Sequence, residues 1–232
     1  MSDYDFIIIG AGSAGCVLAN RLSEDPNNKV LLIEAGGSDW SPLIHIPLLA
    51  GVAYFDKSIN WGYDTEPENE LQERKLHWPR GKVIGGSSSI NGMMYVRGDS
   101  FDYDGWRQLG LEGWDYASVL PYFKKSECNI EKKDSVFHGS DGPWKIKRCT
   151  SENPLYQAFF DSCSDIGFKM TEDFNGKVQE GYQWHDFNIA NGRRQSTAVA
   201  FLKPILNRKN LNVEKRAHVT KILFENKKAV GV

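Results

Sequence analysis

The sequence predicts an α/β fold, with a parallel sheet built on a βαβ unit and followed by the start of a second, α+β domain. One continuous apolar run ends at Ile9, and another covers Val30–Ile33 within the segment Lys29–Ile33. Such runs are typical of strands that are buried on both faces of a parallel sheet. Between them, Val17, Leu18 and Leu22 have the spacing of one helix face. Strand, helix and strand in this order form a βαβ unit.

Composition excludes several classes of protein. The 232 residues include 28 Lys and Arg against 30 Asp and Glu, which gives a formal net charge of −2. This balance argues against a nucleic-acid partner, and the 41% of hydrophobic residues argues against disorder. The four cysteines form no C-x-x-C pair, which argues against a zinc site or a disulfide scaffold and favours a reducing compartment.

The N-terminal stretch is the only segment that resembles a targeting signal. Residues 6–19 carry no charge, but they are too few to span a bilayer. Asp3 and Asp5 stand where a secretory signal needs positive charge. We therefore expect a cytoplasmic protein, and the sequence leaves peripheral membrane association open.

Beyond the βαβ unit, the character of the chain changes several times. Residues 36–80 are irregular and rich in Pro, Gly, Asn and Trp, which is typical of a lid, a cofactor cover or an interface. The charged residues 131–134 are expected to form a solvated loop. Helices are expected over 101–127 (in two pieces, broken around 110–113), 155–166 and 196–206, the last with Ser196 as a possible N-cap. Strands are expected over 144–147, 182–189 and 211–232, the last range interrupted by a turn at 226–228.

Gly10, Gly12 and Gly15 form a G-x-G-x-x-G motif between the first strand and the helix. In a Rossmann-like fold the first glycine allows a tight turn, the second lets the backbone approach a pyrophosphate, and the third lets the helix pack closely on the strand. Glu34 follows 19 residues after Gly15, where a carboxylate can bind both ribose hydroxyls. Glu34 disfavours NADP, but the motif does not separate FAD from NAD, and a glycine corner without a ligand is the plainer alternative.

A second glycine-rich segment runs from Gly81 to Asn91 and contains three consecutive serines. Paired glycines followed by serines can form a backbone cradle with hydroxyl donors, suited to an anion or a sugar. The alternative is an exposed Gly/Ser loop. Nearby apolar residues, namely Ile84, Ile90 and Met93-Met94, argue against that alternative.

Here the sequence resembles the glucose–methanol–choline (GMC) family of FAD-dependent oxidoreductases. Residues 81–104 match the first signature of that family, and its context matches at 60–63, 78–82, 113–114 and 120–123. The stretch 91–98 is similar to the choline-dehydrogenase-like branch. Together with the first motif, the resemblance covers the whole chain.

The resemblance implies a role for each matching position. Ser13 and Ala14 would bind the pyrophosphate through their backbone, Glu34 would lie at the adenosine ribose, Ala35 would also contact the cofactor, and Trp61 would lie along it. Gly81, Gly86 and Ser87 would line the pyrophosphate and ribityl chain. The backbone of Asn91, Gly92, Met93 and Met94 would lie beside the isoalloxazine ring, where N–H groups stabilise the reduced flavin. Val219 would pair with adenine through its backbone; the alternative is an ordinary strand valine.

The same resemblance carries expectations about chemistry. Some members attach FAD covalently through a histidine in the position that Ile90 occupies, so we expect a non-covalent flavin. The family transfers a hydride from an alcohol carbon to flavin N5, and a late histidine takes the hydroxyl proton. That histidine would lie beyond Val232, and no histidine of this chain stands in a matching motif. No catalytic residue is therefore assigned.

The sequence leaves several functions open. The leading one is the FAD-binding part of an enzyme that oxidises a primary alcohol, such as choline or another small polar or aromatic alcohol, with oxygen or a quinone as electron acceptor. Alternatives are non-redox chemistry on the same scaffold (hydroxynitrile lyase or fatty acid photodecarboxylase) and a catalytically silent flavin-binding module. An NAD-dependent dehydrogenase is disfavoured by the match over 81–91.

The organisation of the chain suggests a piece of a longer protein, because its end has a strand pattern with nothing after it. A further C-terminal chain could complete the fold. The expected domains are an FAD-binding domain with its cover over 1–145, part of a substrate domain over 146–210, and a return to the FAD-binding domain over 211–232.

Overall fold

A computed structural model describes residues 3–232 of the chain. Its helices and strands, numbered in chain order, are β1 (Phe6–Ile9), α1 (Ser13–Leu22), β2 (Val30–Glu34), α2 (Pro42–His45), α3 (Ala50–Ala53), β3 (Tyr63–Asp64), β4 (His77–Trp78), α4 (Ser100–Gln108), α5 (Tyr116–Ser126), β5 (Glu127–Cys128), β6 (Trp144–Lys145), β7 (Lys147–Arg148), α6 (Pro154–Asp165), β8 (Asp186–Phe187), β9 (Ile189–Ala190), β10 (Arg193–Arg194), β11 (Leu211–Lys215), β12 (Leu223–Glu225) and β13 (Lys228–Gly231). The chain divides into two compact units, which we call unit 1 (1–92 and 191–232) and unit 2 (93–190).

Unit 1 is organised around the predicted parallel sheet. Its strand order is β1-β2-β11, with Val30 opposite both Phe6 and Leu211. The βαβ unit is confirmed, because α1 lies between β1 and β2 in sequence and packs against both strands. The third strand comes from the late segment 211–215, and its register continues to Lys215, opposite Glu34. The sheet therefore brings the end of β11 beside the end of β2.

The segment after Ser196 departs from the regular helix that was expected. Ala198–Leu202 form a π-helix and Lys203–Ile205 a short 3₁₀-helix. Pro204 lacks the N–H that a continuing helix needs, which fits the change at this point. The Ser196 hydroxyl accepts a hydrogen bond from the N–H of Val199 at 3.3 Å, the role expected of a capping residue.

The irregular segment 36–80 contributes to the core of unit 1. Ile44, Ala53 and Ile59 pack together with Val83 and Ile90 in one buried cluster. The segment is therefore fixed by apolar contacts on one side. The strand expected from 211 to the turn at 226–228 is interrupted, because β11 ends at Lys215 and strand structure resumes only at Leu223. Its last part, β12, forms the expected hairpin with β13, and Asn226 and Lys227 turn the chain with positive φ angles of 47° and 66°.

Unit 2 contains the predicted pair of helices. The break between α4 and α5 falls in the expected place, with Gly110 and Gly113 at φ angles of 94° and 79°. The strand expected over 144–147 is divided in two because the chain changes partner at the buried Ile146, and the strand expected over 182–189 is reduced to β8 and β9. Before it, β6 pairs with β5, and after it, β7 pairs with β8. The predicted helix over 155–166 is α6.

A buried ion-pair network begins at Glu127 in unit 2. Its two carboxylate oxygens bind Arg97 Nη2 at 2.6 Å and His138 Nδ1 at 2.7 Å. The other ring nitrogen of His138 binds Asp173 Oδ2 at 2.6 Å. Glu127 is 0% exposed and His138 is 2% exposed. Because both ring nitrogens face carboxylates, the geometry favours the doubly protonated imidazolium.

Lys132 extends the network from Asp173 to the next acid. Its ammonium lies 2.8 Å from Asp173 Oδ1 and 2.6 Å from Asp186 Oδ2, and Arg148 Nε lies 3.3 Å from the other oxygen of Asp186. These pairs join residues before and after position 145. The compact units accordingly divide at 92–93 and 190–191, whereas the sequence suggested divisions at 145–146 and 210–211. The substrate-binding role expected for residues 146–210 stays a prediction.

The pH dependence of stability should report the protonation of His138. Burial of the ring opposes protonation, but the hydrogen bonds to Asp173 and Glu127 outweigh it and raise the pKa above its ordinary 6.5. The contribution of His138 is therefore complete below about pH 6.5 and is lost as the pH rises through the folded-state pKa. Urea unfolding should give a lower free energy of unfolding at pH 9 than at pH 6, and this difference should be smaller in His138→Gln than in the unchanged protein. An equal loss in that variant would contradict the assignment to His138.

Candidate functional site

The first glycine motif forms the corner between β1 and α1. Gly10 has a φ angle of +93°, and its N–H donates to the carbonyl of Ile33 at 2.7 Å. A Cβ on Gly15 would lie 1.9 Å from the carbonyl oxygen of Gly10, so the helix approaches the strand as closely as the motif predicts. Ser13 and Ala14 are exposed in the first turn of α1. Their free N–H groups and the positive helix end suit an anion such as a phosphate.

The second glycine motif lies directly against the first. Gly86 has a φ angle of +53°, and a Cβ there would lie 2.6 Å from the Cα of Gly12. The N–H of Gly85 donates to the carbonyl of Ala11 at 2.7 Å, which joins the two loops by backbone. A Cβ on Gly81 would lie 2.2 Å from the carbonyl oxygen of Gly86. The two motifs, more than 60 positions apart in the sequence, thus form one cradle, in which a Cβ has no space at Gly81 or Gly86.

Glu34, at the end of β2, is buried, being only 5% exposed. Its two carboxylate oxygens accept hydrogen bonds from the N–H groups of Ala11 and Gly36, each at 2.8 Å. These bonds fix the first glycine loop relative to β2. Each carboxylate oxygen has a further lone pair, so the side chain can also accept hydrogen bonds from sugar hydroxyls.

A cavity of about 500 Å³ in unit 1 opens over this cradle. Ten of its lining residues are ones that the sequence singled out: Gly10, Gly12, Ser13, Glu34, Ala35, Trp61, Gly81, Gly86, Ser87 and Val219. Its volume lies in the range of small-molecule and cofactor sites. The cavity therefore joins the two glycine motifs, the acid at the end of β2 and the late residue Val219.

Sequence reasoning missed the rest of the lining, which is Ile9, Ile33, Tyr63, Arg80, Ala217 and His218. Each lies within two residues of a predicted position, and this proximity in sequence was the only signal that could have identified it. His218, to which the sequence assigned no role at the site, makes an edge contact with the Trp61 ring at a centroid distance of 5.4 Å. Trp61 also stacks on Tyr63, and Lys82 Nζ lies 4.6 Å from its ring centroid. These contacts hold the indole at the cavity wall.

The remaining predicted residues lie outside the cavity lining. Ala14 and Gly15 follow the glycine corner in α1, and Asn91 and Gly92 are exposed at the end of the first segment of unit 1. Met93 and Met94 belong to unit 2, where Met93 is buried with a φ angle of +63° and Met94 is 53% exposed. The structure thus groups ten of the sixteen predicted positions around one cavity.

A larger cavity, of about 640 Å³, lies in unit 2 between residues 167 and 181. None of the predicted site residues lines it. Among residues 3–232 no cluster of His, Cys, Asp and Glu has the arrangement of a metal site. No helix in the same range has the length and apolar character needed to cross a membrane.

Comparison with known proteins identifies the family. The family model described as GMC oxidoreductase matches residues 4–232. The chain belongs to the GMC oxidoreductase family. The α/β fold and the resemblance inferred from the two glycine motifs are confirmed.

GMC relatives are considerably longer than this chain. The mitochondrial choline dehydrogenase of Mus musculus is 46% identical over 239 residues, which is 99% of this chain and 40% of that protein. The crystal structure of pyridoxine 4-oxidase from Mesorbium loti has a TM-score of 0.93 at 35% identity, covering 98% of this chain and 45% of the other. An FAD-dependent oxidoreductase from Chaetomium thermophilum has a TM-score of 0.90 at 31% identity, covering 98% and 41%. The chain thus spans less than half the length of these relatives.

The residues present fit the flavin cofactor that GMC membership supports. A pyrophosphate needs a backbone that comes close without Cβ atoms, and the contact between Gly12 and Gly86 provides one. An adenosine ribose needs an acceptor at the end of β2, and Glu34 stands there. Arg80 adds a positive side chain at the cavity wall.

Proposed function

We propose that this chain is the flavin-binding part of a GMC oxidoreductase that oxidises a primary alcohol. The observation that carries the proposal is the contact of the two glycine motifs at Gly12 and Gly86, which forms a side-chain-free cradle next to Glu34. FAD supplies a hydride acceptor at N5 when it is bound. The protein binds and orients it, through the first turn of α1 at the pyrophosphate and Glu34 at the ribose.

We further propose that the flavin is held without a covalent bond. Ile90 occupies the position of the attachment histidine in some GMC members, and it is 2% exposed within the apolar cluster of unit 1. Its side chain contains only carbon and hydrogen and offers no atom that could bond to the flavin. Shape, hydrogen bonds and phosphate contacts therefore hold the cofactor.

The substrate proposal is a small primary alcohol of the choline or hydroxymethyl-aromatic kind. A choline dehydrogenase and a pyridoxine oxidase, both named for alcohols, are among the proteins similar to this chain. Oxidation removes a hydride from the alcohol carbon and a proton from its hydroxyl, which leaves a carbonyl. Oxygen or a quinone would reoxidise the flavin, in a cytoplasmic protein whose remaining sequence is supplied by the same or by another chain.

An absorption spectrum tests cofactor binding first. The purified protein should show a flavin band in the visible range, and acid precipitation should release it into the supernatant. Colour that stays in the pellet would contradict non-covalent binding. A protein that stays colourless after incubation with FAD would contradict the proposed function.

Anaerobic addition of choline or pyridoxine to the coloured protein tests the chemistry. The visible band should bleach with one of these alcohols, and air or a soluble quinone should restore it. A flavin that binds but is bleached by no alcohol, while the protein cleaves hydroxynitriles or decarboxylates fatty acids in light, would favour the non-redox use of the scaffold.

A further inference from the structure

Arg194, in β10, is completely buried in unit 1. Its Nε donates to the carbonyl of Ile44 at 2.7 Å, and its Nη1 donates to the carbonyl of Ser88 at 3.2 Å and to the side-chain Oδ1 of Asn91 at 2.8 Å. Its Nη2 is buried without a hydrogen-bond partner. One guanidinium therefore connects the core, the second glycine motif and the Asn91 side chain.

The charge of Arg194 has no acidic partner. Within residues 3–232 its hydrogen-bond acceptors are two carbonyls and one carboxamide, and none of the ion pairs includes it. Burial lowers its pKa to about 10, and the electrostatic influence of Tyr54 opposes that shift. A buried charge without a counter-charge is costly to a folded protein. Ionisable groups with strongly perturbed pKa values cluster at functional sites.

The position of Arg194 indicates which ligand that would be. Asn91, which it holds, and the adjoining Gly92 are exposed at the surface of unit 1. A Cβ on Gly92 would lie 3.6 Å from the Tyr54 hydroxyl, so the same small region also includes Tyr54. Under the family resemblance that supports the proposed function, the Asn91–Gly92 backbone would lie beside the isoalloxazine ring. A positive charge behind this backbone acts through a medium of low dielectric, where it is weakly screened.

We propose that Arg194 is a positioning residue of the flavin site, which fixes Asn91 through its carboxamide and places an uncompensated positive charge behind Asn91–Gly92, so that the reduced, anionic flavin is favoured over the oxidised, neutral one. The inference rests on the proposed function. Hydride transfer brings two electrons and one proton to the neutral ring and leaves one negative charge there, while the alcohol becomes a carbonyl and its hydroxyl proton goes to a base. The positive charge of Arg194 stabilises that negative charge as it builds up.

The reduction potential of the bound flavin tests the inference, measured with a reference dye on the flavin-loaded protein. Arg194→Met removes the charge, and we expect the preference for reduced over oxidised flavin to fall at least tenfold, which is about 30 mV for a two-electron couple. Arg194→Lys keeps the charge and should stay within threefold of the unchanged protein. Arg193→Met is the matched control, because Arg193 is adjacent and exposed. It should leave the potential unchanged.

If Arg194→Met does not fold, Asn91→Asp tests whether the charge of Arg194 sets the reduction potential of the flavin. It replaces the acceptor at 2.8 Å by a carboxylate of the same shape, which neutralises Arg194 in place, and it should lower the potential as Arg194→Met does. An unchanged reduction potential in Arg194→Met or in Asn91→Asp would overturn the inference. A potential that falls as far in Arg194→Lys as in Arg194→Met would also overturn it. Failure of the unchanged protein to bind flavin would instead refute the proposed function, so the two failures are distinguishable.

Discussion

Replacing Gly86 with alanine should weaken FAD binding at least a hundredfold, which corresponds to about 2.8 kcal/mol. The residue has a φ angle of +53°, where any side chain is strained, and its Cβ would lie 2.6 Å from the Cα of Gly12. The atoms that this Cβ would meet belong to the backbone of Gly12, so no change of side-chain rotamer relieves the clash. The two loops must separate, and the cradle for the pyrophosphate opens. Titration of the protein with FAD, followed by flavin fluorescence, measures the loss.

Gly51→Ala is the matched control for this prediction. Gly51 also lies in unit 1, in α3, and a Cβ there meets nothing within 4 Å. Its affinity for FAD should equal that of the unchanged protein. Tight FAD binding by Gly86→Ala would show that the cofactor does not depend on the contact between the two motifs.

Replacing Glu127 with alanine should destabilise unit 2 by about 3–5 kcal/mol, the range for breaking a buried ion pair on one side. The change leaves the Arg97 guanidinium and the His138 ring without the carboxylate that lies 2.6 and 2.7 Å from them. The Gly139 N–H also loses its acceptor. Urea unfolding followed by far-UV circular dichroism at pH 6 measures the effect, since His138 is protonated there.

Glu112→Ala provides the comparison for Glu127→Ala. Glu112 is an exposed glutamate between α4 and α5, and surface substitutions of this kind usually change stability by less than about 0.5 kcal/mol. Similar unfolding midpoints for the two variants would mean that the network contributes nothing to the stability of unit 2.

The parts of the structure that sequence could predict depend on local patterns. The βαβ unit follows from two apolar runs and one helical spacing, and the glycine corner follows from a motif whose parts lie within six residues. The cavity required the resemblance as well, because Val219 reaches it only through the pairing of β11 with β2. His218 was not recognised because its role depends on that same long-range pairing.

The charged network of unit 2 could not be predicted, because its members are far apart in sequence. Glu127 follows Arg97 by 30 positions, and Asp173 follows His138 by 35. Residues 131–134 were expected to be a solvated loop, yet Lys132 lies in this network with its side chain 15% exposed. Charge alone does not distinguish a solvated side chain from one whose partner arrives from a distant segment. Arg194 is another example, since nothing near it in the sequence marks it as buried.

The parallel pairing of β11 with β2 sets when the site can form during protein synthesis. Val219 and Arg194 leave the ribosome long after the glycine corner, and a chain that ends before them lacks one wall of the cavity and the anchor of Asn91. At about 5–20 residues per second, this delay is about 10–40 s. During that interval the edge of β2 that later pairs with β11 is unpaired, so it is the part of the early sheet that needs chaperone protection. Binding of the cofactor is then a late event in biogenesis.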